Sequence, residues 1–540
     1  MTLFNKRYFL FGAIIFIISI YFGLEFNIGY CSLSSIFVLS LCFAALVLTI
    51  LSILLVVFRK HTVLSKSLII IIITLTIFFI GSGTIIYKNQ ELYQNHSKIS
   101  NAYNFYGVIT NPPTLTDNKE SYFIETDIFQ YEKDNDTVYL DKPIKIGFYQ
   151  AADALDNPPC FADTFFTQYI RETISEPAYE NAFDISRYHR QNGICFVGYS
   201  PNLSFVDFPY KKSLLMNLKS LGNIIRENTL SSTENENYSD DEKALLQGIM
   251  LGEKTKFSDE LSAAYSMSGL SHINAVSGMH TSYLFGFIAL FLALLRFPKK
   301  YCILITTPIL IIFASASLFT PSVVRAVAMI IIFQLAILFN RSNDSITTLF
   351  ISAVLILIYN PYTLYSYSFI LSYSSTLGLL VFAPKLKYLL TYANNKIRLK
   401  PLRKKTFFTK LSNMIIKYIA SSMVITVSCL LGSSYFIARF FGIVIFGSIL
   451  ATPIITPLVA IIFIGGYLNS LSNPLSLLIS KLILSPALSA CNETARFFSK
   501  PIFHISVFYP SKFVFIIYVV ILYLFYVLLD NFEKNHKRIE

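Results

Sequence analysis

At 540 residues, with 54% apolar side chains, 14% charged ones and a mean hydropathy of +0.56, the chain is too apolar and too charge-poor for an ordinary soluble protein. Composition points instead to a polytopic membrane protein. The net charge of +12 is uneven: nine basic and seventeen acidic residues fall between Lys88 and Tyr210, so the basic excess lies on loops where it sets membrane orientation. The seven cysteines include no CxxC or other metal-spaced pair.

Three apolar runs open the chain, at 8–26, 32–58 and 67–87, each long enough to cross a hydrocarbon core of roughly 30 Å. The first follows Lys6 and Arg7 and has no small-residue cleavage site, so it reads as a retained anchor. Lys6 and Arg7 on one side, and Arg59, Lys60 and Lys66 on the other, place both ends of the first pair in the cytoplasm. The third run then leads outward, and the segment 88–210 is expected outside the cytoplasm.

That segment alternates short β-type runs with turn signals: FYGVI before NPP, SYFIETDIFQYE before DND, TVYL before DKP, then IKIGFY and later GICFVGYSP. About five strands in roughly a hundred residues fit a small β-barrel of OB type. In an oxidising compartment Cys160 and Cys195 could close a disulfide, or stay two thiols. Its many aromatic residues could stack single-stranded bases, although its net negative charge opposes attraction of a polyanion.

Residues 211–232 carry apolar positions at helical spacing with basic residues on the other face, which suits a helix lying in the membrane interface. Asp240 or Asp241 is placed to cap the next helix. Beyond His280 about nine more spans follow, giving about twelve with both termini inside. The expected organisation is a three-helix membrane segment (1–87), the β domain (88–210), interfacial helices (211–256), a transmembrane channel domain (257–530) and a cytoplasmic tail (531–540). Pro453, Pro457, Pro474 and Gly465-Gly466 mark 441–490 as the region for broken or re-entrant helices.

Chemistry concentrates in GLSHINAVSGMH, residues 269–280, on the threshold of an apolar run. Ser271, His272, Ser277, Gly278 and His280 there, with Pro321, Ser322 and Arg325 at the start of the sixth span, converge on one outer entrance. Arg325 is always charged, so it must snorkel, pair, or line a wet cavity, where it could contact phosphates bidentately. On a continuous helix His272 and His280 would lie within about 80° of each other. Ser277 and His280 invite a nucleophile reading, but no carboxylate and no Gly-x-Ser-x-Gly elbow accompany them. Asp344 reads as a helix cap or a pore group. The hydroxyls of the eighth span, among them Ser368 and Ser372, could line a pore or hydrogen-bond between helices. No metal, cofactor or nucleotide motif is present.

These stretches resemble the ComEC family, the inner-membrane channel of bacterial DNA uptake. Phe183, Asp184, Tyr188, Gly193 and Ile194 match its F-D-x-x-x-Y-x-x-x-x-G-I stretch, and the run LLQGIMLGEKTKFSDELSAAYSMSGLSHINAVSGMH resembles one ending G-L-S-H-L-L-A-V-S-G-L-H; PSVVRA and IYNPYTLYSYSFILSYSSTLGLL add to the match. Ile370, Ser368 and Asn360 depart from its glutamine, glycine and aspartate. No H-x-H-x-D-H occurs, so the resemblance is to a form without the metallo-β-lactamase-like domain. It implies a non-enzymatic channel in the inner membrane for single-stranded DNA, partnered by membrane lipid and by other competence proteins: a DNA receptor, a cytoplasmic helicase and a separate nuclease. A channel for a smaller solute, or a Ser277/His280 hydrolase, are the competing readings.

Overall fold

The structure, a computed structural model, describes residues 8–25, 62–116, 120–154, 158–173, 185–210, 212–234, 237–342, 344–397, 407–470 and 480–537. The apolar run 32–58 lies outside the described residues. Two compact units divide the chain: residues 1–223 with 347–366, and residues 224–346 with 367–540.

In the first unit, α1 (Tyr8–Glu25) packs on α2 (Thr62–Ile99), with Ile20 of one and Ile85 of the other fully buried. The helix α2 runs on past the apolar stretch into YKNQELYQNHSKI, where Lys88 and Glu91 pair at 2.7 Å. It ends where Asn101 takes φ 65°. The β domain follows: β1 (Tyr103–Ile109), β2 (Thr114–Leu115), β3 (Ser121–Lys133), β4 (Asp136–Ala151), β5 (Thr164–Thr167) and β6 (Arg171–Glu172), then α3 (Ile185–Gln191), β7 (Val197–Tyr199) and β8 (Leu203–Phe205).

The strands form one sheet in the order β6-β7-β4-β3-β1-β5-β8, with β2 on β3. Among the described residues this path stays open, so the small OB-like β-barrel expected from about five strands is found as a curled sheet of eight strands. Asp134 and Asn135, with φ 53° and 69°, make the tight turn of the β3–β4 hairpin. TVYL and IKIGFY are one strand, not two. Pairing jumps from Ile128 with Ile144 to Gln130 with Tyr139, so Pro143, which has no N–H to give, sits in an irregularity of the ladder. Phe105, Ile124, Ile128, Ile146, Phe148 and Phe165 fill the core.

Cys160 and Cys195 are not bonded. Cys160 stands in an exposed loop before β5, while the Cys195 thiol is free and donates to the carbonyl of Lys145 at 3.3 Å. Burial pushes that thiol up to about 12, which keeps it protonated and a poor partner for exchange.

The helix α4 (Leu214–Thr233) separates apolar from basic residues as its spacing predicts. Its apolar stripe is outside, with Leu214 79% and Ile224 54% exposed, whereas Arg226 and Thr229 are buried. Lys219 turns inward as well, donating to the Thr110 carbonyl at 3.1 Å and to Asn111 Oδ1 at 2.9 Å. Burial, with Lys145 nearby, lowers its ammonium to about 8. Asp127 is raised, chiefly by burial.

The second unit contains α5 (Asp240–Leu251), α6 (Asp259–Met267), α7 (Gly278–Leu294), α8 (Ile303–Ala316) and α9 (Pro321–Leu338). After α10 (Ser345–Tyr359), most of which belongs to the first unit, it resumes with α11 (Tyr367–Ile397), α12 (Phe407–Phe441), β9 (Ile443–Ile445), α13 (Ser448–Asn469), α14 (Ser485–Phe498), β10 (His504–Ser506) and α15 (Lys512–Lys537). Among the described residues six helices are long and apolar enough to cross a membrane; Gly12–Tyr21, Gly278–Leu294 and Ser345–Tyr359 are shorter apolar helices. Ser239, rather than Asp240 or Asp241, caps α5, in a capping box with Glu242. Within 441–490 the chain breaks at Gly442, φ 65°; Pro453, Pro457 and Gly465-Gly466 lie inside the continuous α13, and Pro474 lies outside the described residues.

Packing in this unit relies on small residues. A Cβ at Gly378 of α11 would stand 2.8 Å from the Cα of Gly432 on α12, so the two backbones touch. Gly432→Leu is expected to separate these helices and cost about 3 kcal/mol, at the upper end of overpacking losses, read as a lower melting temperature in detergent. In the first unit, the unfolded chain keeps the Lys219 proton to higher pH than the folded one. Stability is therefore expected to rise between pH 8 and about 10, and Lys219→Met to flatten that rise in parallel denaturation curves.

Candidate conduit entrance

The stretch 269–280 is shaped by the end of one helix and the start of another. Gly269, φ 76°, closes α6, and the Leu270 N–H returns to the Tyr265 carbonyl at 2.9 Å. A Cβ on Gly269 would also stand 2.8 Å from Ile445, so both conformation and space require glycine there. Leu270, Ile273 and Val276 then anchor the loop in the core. Because 268–277 is not helical, His272 and His280 share no helix face, contrary to the continuous-helix expectation.

Ser277 is the N-cap of α7. Its Oγ accepts from the Met279 N–H at 3.3 Å, and its own N–H donates to His280 Nδ1 at 3.1 Å. The Ser277 hydroxyl also lies 3.1 Å from Nδ1. The Ser-His spacing noticed in the sequence is thus a capping box with histidine in the reciprocal position. His280 is fully buried beside Phe463, ring centroids 5.3 Å apart, and its Nε2 has no hydrogen-bond partner among the described residues.

Arg325, 8% exposed, sits in the second turn of α9. Its Nη1 donates to Thr376 Oγ1 at 2.7 Å, and the guanidinium lies 5.8 Å from the centre of the Tyr373 ring, both on α11. A Cβ at Gly278 would come within 2.7 Å of Nη2. The guanidinium therefore lies against the first residue of α7, and a side chain at that position would have to displace it. Arg325 Nε has no partner, and no carboxylate forms an ion pair with Arg325 among the described residues. A buried cation beside the positive end of a helix, with neutral partners only, is an electropositive site without a compensating carboxylate.

The other expected site residues scatter around this centre. Pro321 is the first residue of α9, and Ser322 Oγ meets Ser368 Oγ at 3.2 Å at an exposed position. The Ser372 carbonyl accepts from Thr376 Oγ1 at 2.7 Å, which orients that hydroxyl for Arg325. Ser374 and Ser375 likewise bond back onto their own helix. Ser271 and His272 are exposed and engage Ser266 Oγ and the Gly269 carbonyl, at 3.3 and 3.1 Å. Asp344 precedes α10, beyond the far end of α9, roughly 27 Å of helix from Pro321, so it does not join the entrance.

Two features were not anticipated. Thr376, the direct partner of Arg325, was one hydroxyl among many; its position four residues after Ser372 was the available signal. Arg226 was only one of the basic residues that spacing sets opposite the apolar face of α4. It binds Glu253 and donates to the carbonyls of Leu251 at 3.2 Å and Ala316 at 3.3 Å, joining α4, α5 and α8. Burial, the largest single influence, would raise the Glu253 carboxyl, but Arg226 together with hydrogen bonds from Thr255 and Lys254 holds the group below its usual range.

Long apolar helices together with a separate β domain define a multi-pass α-helical membrane protein. Residues 249–532 match the Competence protein family, more than half of the chain, and the chain belongs to that family. It is 27% identical over 160 residues to ComE operon protein 3 of Bacillus subtilis, covering 29% of this chain and 20% of that protein. It is 30% identical over 142 residues to an uncharacterized protein of Aquifex aeolicus, covering 26% of this chain and 33% of the other. The chain thus spans a fifth to a third of the length of these curated relatives. No solved structure matches.

Ser277→Ala is expected to lose the α7 cap and about 1 kcal/mol of stability, seen as a modest drop in melting temperature. Gly278→Val should be worse, because its side chain would occupy the guanidinium's place. If Gly278→Val melts like wild type, the close approach of Arg325 to α7 is wrong.

Proposed function

We propose that this protein is an inner-membrane channel that takes up single-stranded DNA during natural transformation, with Arg325 contacting the phosphates. The observation that carries this reading is the uncompensated, buried guanidinium of Arg325 at the N-terminus of α7. A passing phosphodiester would supply the missing negative charge and accept from Nη and Nε together. Family membership and the name of the Bacillus relative support DNA as the cargo.

In this reading about twelve helices span the membrane, by the hydropathy of the full sequence. Both termini are cytoplasmic, and residues 88–210 face outward. The channel performs no covalent chemistry. His280 Nδ1 is already occupied by a backbone N–H, which favours a structural role for the Ser277–His280 pair over a nucleophilic one. A DNA receptor outside, and a helicase and nuclease supplied by other chains, complete the pathway.

The test is uptake of labelled DNA into a deletion strain complemented with wild type, Arg325→Ala or Arg325→Lys, each quantified in the membrane fraction. Arg325→Ala is expected to lose at least tenfold in transformation, which corresponds to about 1.4 kcal/mol or more per passage step. Lysine should restore part of it, as a point charge without the bidentate fork. Wild-type uptake by the alanine variant removes Arg325 from the path, and unchanged uptake in the deletion strain itself favours a smaller solute.

A further inference from the structure

Within the second unit, an apolar cavity of about 690 Å³ lies between α4, α7, α8 and α13. Its inner wall includes Ile225 of α4, Leu284 of α7 and Phe463 of α13. Protein interiors tolerate few voids larger than a water molecule, and apolar walls of this kind do not hold a water cluster. A volume of this size is that of a ligand site, not of a packing defect.

The lining residues Phe287, Ile309 and Leu468 are 43%, 37% and 43% exposed. They belong to α7, α8 and α13, apolar helices whose outward side chains face hydrocarbon in a membrane. The cavity thus opens toward lipid tails and not toward bulk water. On α4, Asn228 and Thr229 supply the polar part of the lining, beside Ile224, which is exposed on the outer apolar stripe of the same helix. An apolar slot open to the bilayer, with a few polar groups on an interfacial helix, matches an amphiphile whose chain enters the slot and whose ester region meets α4.

We propose that this cavity is a binding site for one acyl chain of a membrane phospholipid. The chain fills the space beneath α4 and props the helix whose Arg226 ties Leu251 to Ala316. Removing the lipid loosens that three-way junction.

The full chain, reconstituted in nanodiscs of phosphatidylethanolamine and phosphatidylglycerol with a trace of phosphatidylglycerol bearing a diazirine near one chain end, is irradiated, digested and mapped by mass spectrometry. Labels are expected to concentrate on residues 225–229 and 463–470, above the level on α15, whose long exposed face reports ordinary surrounding lipid. Leu284→Trp should fill the slot and reduce cavity labelling several-fold while α15 labelling stays constant. Leu468→Trp, at the exposed rim, narrows the opening without touching the core and should do the same if the first variant fails to fold. Labelling no denser in the cavity than on α15, or unchanged by Leu468→Trp in a folded protein, overturns the proposal.

Discussion

A guanidinium held out of water without a carboxylate beside it is the constraint around which the helical unit is arranged. Such a charge persists only if hydrogen bonds, aromatic faces or a visiting anion replace its hydration. Here Thr376 and the Tyr373 ring supply part of that replacement, and Nε is left over. The cost explains the residues nearby. Gly278 carries no side chain because Nη2 takes its place, and Thr376 is oriented by the Ser372 carbonyl. Neutral hydroxyls on α11 bond inward to their own backbone, so they add polarity without adding a competing charge.

Other buried polar groups in the same unit follow a different logic. Arg226 has a carboxylate and two carbonyls, and Gln334 of α9 exchanges hydrogen bonds with Thr306 of α8 at 2.6 to 3.0 Å. These pairs are satisfied internally and hold helices in register. Arg325 stands apart because its partner set is incomplete. A structural arginine would be expected to resemble Arg226, and the contrast between the two within one unit is what supports the ligand role proposed for Arg325.

Much of this was legible in the residues, and what was not has physical causes. The long apolar runs, the polar threshold at 269–280 and its convergence with Arg325 follow from hydropathy and from the cost of intramembrane charge. Helix and strand junctions were less visible. Pro143 looks like a turn in sequence, yet an irregular ladder absorbs it into β4; Pro453 and Pro457 look like breaks, yet α13 passes through both. Spacing shows that Lys219 and Arg226 share a face, seven residues apart, and that Leu214 and Leu221 share another, but periodicity cannot say which face meets protein. In water the apolar face would turn inward. Beside a bilayer the polar face does, because Thr110, Asn111 and Glu253 wait there.

The short strands β9 and β10 show how backbone chemistry limits such a fold. Where Gly442 ends α12, the next residues leave helical geometry and expose N–H and C=O groups that hydrocarbon cannot satisfy. They are satisfied in pairs. Ile443–Ile445 forms an antiparallel ladder with His504–Ser506, the Val507 N–H reaches the Gly442 carbonyl at 2.8 Å, and the N–H groups of Phe446 and Gly447 both donate to the Phe503 carbonyl at 3.0 Å. Ile445, at the end of that ladder, is also the residue that leaves no room for a side chain on Gly269. The non-helical segment before α13 and the non-helical threshold before α7 therefore brace each other. An extended break in one part of the unit makes room for the polar loop in another, and neither can be lengthened or given a bulkier residue without unsettling both.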